Sequence, residues 1–254
     1  MTLTEFDKYI NSFLKKEDYA ADISLNGIQI QNSAPDSKEI KKIAFAVDAC
    51  KETAELAVKE GADVLFVHHG LFWGRCQTVT GSLYERLSSF IKNDLALCAY
   101  HIPLDANNPY GNNYGLAKRI NLENCTEFGL WRGMKIGVKG KLPSEMTVEE
   151  LAKKILRPES LPRILKFGKE KIRTVGIISG GASEEVKDAI DEGLDCYITG
   201  EFEHADFHIA KEMGINVISG GHYETETVGV SLVMEKVQKE LGLECTFLEV
   251  PTNL

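Results

Sequence analysis

The sequence predicts an α/β protein of two similar lobes, each a mixed or parallel sheet flanked by helices, with a metal site between the lobes. Three observations carry that prediction. Strand-like and helix-like segments alternate along the 254 residues, as helix-covered sheets require. The pattern then repeats: residues 43–69 lie without gaps on 175–201, and 95–105 lie on 216–226. The histidines, finally, collect where predicted strands end. In open α/β sheets that is where ligands bind.

Taken in order, "MTLTEFDKYINSFLKK" reads as an amphipathic helix opened by a capping box of Thr2 and Glu5. "SLNGIQIQ" contains Asn26-Gly27, which reads as a tight turn between short extended pieces. "KKIAFAVDA" is a predicted strand, "CKETAELAVKEG" a helix ending at Gly61, and "DVLFVHH" the next strand. A second capping box, Ser82 to Glu85, is expected to start the helix "LYERLSSFIKN" before the strand "LALCAYHI". "NPYGNNYG" offers Gly111, Asn112 and Asn113 before a helix, either as a turn and N-cap or as backbone N–H groups for an anion.

The first lobe is expected over residues 1–126 and the second over 127–254, opened by "GLWRGMKIGVKGKLPSEMTVEE", with the final strand able to pack on the first lobe. Within the second, "TVGIIS", "EEVKDAIDEG", "CYITG", "ADFHIAKEMG", "NVISGG", "ETVGVSLVMEKVQKELG" and "ECTFLEV" continue the alternation. The repeat places Gly61 on Gly193, Asp63 on Asp195, His101 on His222 and Asp105 on Glu226. Both halves therefore follow a strand with the same H-x-x-x-acid spacing.

Composition sets the class. With 43% hydrophobic residues the chain can bury a substantial core, and no run reaches the roughly 18 apolar residues a membrane span needs. A soluble cytoplasmic protein without a membrane partner is the expectation. The six cysteines show no C-x-x-C pair and are expected to be reduced and mostly buried. A net charge of −9 argues against broad phosphate neutralisation and so against a nucleic-acid partner; Lys166, Lys169, Lys171 and Arg173 read as a solvated basic face.

The candidate chemistry lies with His68, His69, Asp105, His222 and Glu226. Imidazole and carboxylate together suit borderline divalent metals such as zinc, iron, manganese, cobalt or nickel, whereas oxygen alone would suit magnesium or calcium. Five donors exceed the usual three of an open single-metal site and suit two metals. Adjacent His68 and His69 are expected to point to opposite sides of their strand. Glu201, repeat-equivalent to His69, is a candidate partner for a ligand histidine, while His204 and His208 share one helix face and read as structural or peripheral. "SGGAS" lacks the spacing of a phosphate loop. No G-x-S-x-G elbow occurs, so covalent catalysis has no support in the sequence.

Together "SLNGIQI", "HHGLFW", "HIPLDANNPYGNN", "TGEF" and "GGHYETE" resemble the successive signatures of the YbgI-like dinuclear metal-centre proteins, also described as NGG-one-interacting-factor-three-like and often labelled GTP cyclohydrolase I type 2 homologues. The resemblance spans almost the whole chain. It implies a two-lobed subunit in a ring-like homohexamer, two divalent transition metals per subunit held by His68, His69, Asp105, His222 and Glu226, and His101 beside them as acid, base or support. The expected activity is metal-dependent hydrolysis of a nucleotide-like, pterin-like or phosphoester small molecule with His101 as the catalytic group. A non-catalytic metal-handling or scaffold role is the alternative.

Overall fold

A computed structural model describes residues 1–254. In chain order the elements are α1 (Leu3–Leu14), β1 (Gly27–Ile30), β2 (Lys42–Asp48), α2 (Lys51–Lys59), β3 (Val64–His69), α3 (Gly81–Lys92), β4 (Ala96–Ala99), α4 (Ile102–Ala106) and α5 (Asn112–Arg119). They continue with β5 (Glu123–Trp131), β6 (Met134–Met146), α6 (Val148–Ile155), β7 (Arg163–Leu165), β8 (Ile172–Ile178), α7 (Val186–Asp191) and β9 (Cys196–Thr199). The chain closes with α8 (His204–Met213), β10 (Asn216–Ser219), α9 (His222–Leu241) and β11 (Glu244–Phe247). Two compact units result: Met1–Leu104 with Val230–Val250, and Asp105–Gly229 with Pro251–Leu254.

The first unit holds a five-stranded mixed sheet in the order β1-β4-β3-β2-β11. Its centre is parallel, β2 beside β3 and β3 beside β4, with β11 parallel to β2 and β1 antiparallel to β4. Strand β3 is buried on both faces up to its last residue, which is why it reads as one unbroken apolar run before the histidines. On one face Ala44, Leu65, Val67 and Leu97 pack with Ala54 and Ala57 of α2 and Leu87 and Phe90 of α3. On the other, Phe66 stacks on Tyr100, whose hydroxyl donates to Asp7 of α1 at 2.7 Å.

The second unit holds a six-stranded mixed sheet in the order β5-β6-β8-β9-β10-β7, again with three parallel strands, β8, β9 and β10, at its heart. Antiparallel β7 lies beside β10 as β1 lies beside β4. The internal repeat extends to hydrogen bonds. Asp63 accepts from the amides of Lys41 and Lys42 at 2.8 and 3.2 Å, and Asp195 accepts from those of Arg173 and Thr174 at 2.9 and 3.0 Å. Each carboxylate thus satisfies backbone donors at the start of the neighbouring strand. Gly61 and Gly193, two residues earlier, share positive φ values of 70° and 65°.

Several local expectations change. Thr2 and Glu5 form their capping box, but the second box does not form: α3 begins at Gly81 behind Thr80, so Ser82 already lies inside the helix. Helix α9 starts at His222 rather than Glu226, making the second H-x-x-x-acid pair an i,i+4 pair on one helix face. All six cysteines are free; Cys98 and Cys196 are buried, whereas Cys76 and Cys125 are exposed, so burial is less general than composition suggested. The basic face is neutralised locally, with Lys166 on Glu149, Lys169 on Asp195 and Lys171 near Glu150. No helix is long and apolar enough to cross a membrane.

Candidate metal centre

In the first unit, β3 delivers His68 and His69 at its carboxyl end and the exit of β4 delivers His101. One ring nitrogen from each lies within 4.8 Å of the others. The rings of His68 and His69 are 4.4 Å apart, and those of His68 and His101 are 5.2 Å apart. Adjacent strand residues would ordinarily diverge. Here, at the last two residues of β3, the two imidazoles instead lie side by side.

Each of these rings meets an oxygen through Nδ1. His68 meets the Tyr100 carbonyl at 3.1 Å, His69 the Asp48 carboxylate at 2.8 Å and His101 the Asp22 carboxylate at 3.0 Å. A carbonyl or ionised carboxylate only accepts, so in the neutral ring Nδ1 carries the proton and Nε2 keeps its lone pair. Burial works to raise the Asp22 carboxyl, but bonds from His101, Asn26 and the Ser24 amide outweigh it and hold the group below the ordinary carboxylate range. This is how metal-binding histidines are oriented: an outer acceptor fixes the tautomer and leaves the other nitrogen to coordinate. Beyond the pair, Leu71 joins the core while Trp73 sets its ring 4.9 Å from His101 at 79°.

In the second unit, Asp105, His222 and Glu226 collect. Oxygens of Asp105 and Glu226 lie within 4.8 Å of one another, and His222 Nε2 is 3.2 Å from Glu226. Asp105 is buried and accepts from Asn112 Nδ2 and Ser179 Oγ, each at 2.9 Å. Asn112 in turn accepts from the Gly229 amide at 2.7 Å, so "NPYGNN" orients a carboxylate as well as opening α5. Gly180 of "SGGAS" has φ +68°, and a Cβ there would collide with the Glu226 carboxylate. The loop needs its glycine for close approach to that side chain.

Glu201 accepts from His222 Nδ1 at 2.7 Å. Burial disfavours a charged His222, but Glu226 and Glu201 on its two nitrogens overcome this and raise its pKa to about 9. His204 and His208 stand exposed on α8, rings 6.2 Å apart. Asp22 and Asp48 are the partners that sequence reasoning passed over. The one signal for Asp48 is an acidic residue closing an apolar strand; Asp22 gives none.

The donor chemistry fits a divalent transition metal: imidazole Nε2 atoms with fixed outer partners in one unit, and buried carboxylates with a fourth imidazole in the other. Residues 1–254 match the family model described as Duf34/NIF3 (NGG1p interacting factor 3). The chain belongs to this family. As a NIF3-family protein it is 41% identical, over all of both chains, to the GTP cyclohydrolase 1 type 2 homolog of Treponema pallidum. Its fold is that of TTHA1606 from Thermus thermophilus, with a TM-score of 0.88, 33% identity and complete coverage of both chains. Protein ybgI, of unknown function, gives 0.87 at 29% identity, also over all of both chains. The NIF3/YbgI fold and the two mixed sheets agree with the sequence prediction.

Proposed function

We propose that this NIF3-family chain is a metal-dependent hydrolase that binds two divalent transition metal ions through His68, His69, Asp105, His222 and Glu226. One observation supports it most: His68, His69 and His101 all engage Nδ1 with an oxygen acceptor, which assigns Nε2 to coordination in the first two and to proton transfer in the third. Zinc, iron, manganese, cobalt and nickel all suit this donor set.

When bound, such ions supply Lewis acidity and favour ionisation of water near neutral pH. The chain's own part is proton handling and exclusion of solvent. His101, held by Asp22 on Nδ1, takes up or delivers a proton at Nε2, and the buried carboxylate steadies the imidazolium that forms. Trp73 covers one side of this ring.

The substrate class is a small molecule with a hydrolysable ring C–N bond, nucleotide-like or pterin-like, or a phosphoester. The relatives' name, GTP cyclohydrolase 1 type 2 homolog, puts GTP first among compounds to test. Metal analysis of the purified chain, followed by hydrolysis assays with GTP, a reduced pterin and a phosphodiester, tests the reading. His101→Ala is expected to keep its metal and lose turnover. A wild-type chain that takes up no metal after reconstitution overturns the proposal, and metal without turnover favours the metal-handling alternative. The family resemblance extends the proposal to a homohexamer, which the solution mass of the native chain checks.

A further inference from the structure

The segment from Asp22 to Gln29 carries the Asn-Gly pair that reads as a simple turn, yet its polar side chains are directed at distant backbone. Asn26 Oδ1 accepts from the His101 amide at 2.7 Å, and Asn26 Nδ2 donates to Asp22 Oδ2 at 2.8 Å and to the Ser24 carbonyl at 3.3 Å. Asp22, its side chain fully buried, accepts from the His101 ring at 3.0 Å and from the Ile102 amide at 3.2 Å. His101 is therefore held twice, by its main chain and by its ring. Both holds come from residues four apart and some 75 positions earlier in the chain.

Gln29 makes a second clamp, on the turn that follows His69. Its Oε1 accepts from the amides of Leu71 and Phe72 at 2.7 and 3.2 Å, and its Nε2 donates to the carbonyls of Leu25 and Phe72 at 3.0 and 3.3 Å. All four hydrogen-bonding positions of the amide are used. The Leu25 amide adds a bond to the Phe72 carbonyl at 3.0 Å. A Cβ at Gly70 would collide with the Gln29 amide, so the glycine after the histidine pair is what lets the clamp close. Gly27 adopts φ +109°, a conformation that favours glycine after Asn26. An ordinary surface turn has no need of such remote contacts.

We propose that Asn26 and Gln29, together with Asp22, are positioning residues: a brace that fixes His69, as a metal donor, and His101 beside it in their places at the metal site. Resting on the reading of these histidines as metal-site groups, the brace makes rigidity of the first unit's donors depend on a segment that coordinates nothing. Removing outer partners of metal-binding histidines typically weakens binding by about 10- to 100-fold.

The test uses near-isosteric variants without hydrogen-bonding capacity, Asn26→Leu and Gln29→Met, followed by ¹⁵N NMR of the histidine rings in the metal-free chain and by Co²⁺ titration. In the wild type, His69 and His101 should each show one Nδ1–H tautomer, and the amides of Leu71, Phe72 and His101 should exchange slowly. Asn26→Leu should give mixed tautomers at His101, and Gln29→Met should double or broaden the His69 ring signals. Each should lower Co²⁺ affinity about tenfold or more. Folded variants with wild-type ring signals overturn the brace. Wild-type amides exchanging at free-peptide rates do the same, even where a variant fails to fold. Absence of Co²⁺ binding to the wild type would instead sink the metal reading, leaving the ring and amide measurements to judge the brace.

Discussion

Asp48 and His69 face each other across adjacent parallel strands, and the carboxylate accepts the imidazole Nδ1 proton at 2.8 Å. Strand register, set by the apolar residues of β2 and β3, therefore fixes the tautomer of a candidate metal donor. Asp48→Asn, which removes the charge but keeps the shape, should lower affinity for Zn²⁺ or Co²⁺ by about 10- to 100-fold. Calorimetric titration of the folded variant checks this; unchanged affinity would deny Asp48 that role.

His222 makes the metal-free chain sensitive to pH. Its pKa, raised to about 9 against an ordinary value near 6.5, means the folded state holds this proton more tightly than the unfolded state. The resulting stabilisation is complete below about pH 6.5 and fades as pH climbs through about 9. Thermal melts of the metal-free chain should show this alkaline decline, reduced in His222→Gln. Coordination at His222 must also displace that proton, so metal affinity should rise with pH over the same window.

Gly180 and Gly193 provide a matched pair for measuring close approach. Both have positive φ, but a Cβ on Gly193 meets nothing within 4 Å, whereas one on Gly180 strikes the Glu226 carboxylate. Gly193→Ala should cost about 1 kcal/mol of stability, from backbone strain alone. Gly180→Ala should cost about 1 to 3 kcal/mol and also impair metal uptake. Urea denaturation and metal analysis, run side by side, compare the two.

His204 and His208 are exposed on α8, apart from the clustered donors of either unit. Alanine at both positions should leave metal stoichiometry unchanged. A lost equivalent of metal in the double variant would give this helix a place in the centre.

The parallel core of each unit was legible because β2, β3, β9 and the second half of β8, residues 175–178, carry buried apolar runs, and parallel strands buried on both faces have that signature. The repeat-equivalent Asp63 and Asp195 were legible as a pair, though not in their work of satisfying strand-start amides. The edge pieces were harder. Strands β1 and β7 are short, and their pairing partners β4 and β10 lie far along the chain, where no local pattern announces them. The failed capping box at Ser82 shows the same limit, since a helix start also depends on what precedes it in space.

At the candidate centre, residue order alone dictated the chemical types and their places: imidazoles and carboxylates at strand exits, repeated in both halves, because a strand end is a rigid point from which a side chain can reach a ligand. Only the folded chain decided which outer oxygen meets Nδ1 of each ring. That choice belongs to Asp22, Asp48, Glu201 and the Tyr100 carbonyl, 21 to 79 positions from the histidines they orient. A hydrogen bond of about 3 Å demands a proximity that only packing creates.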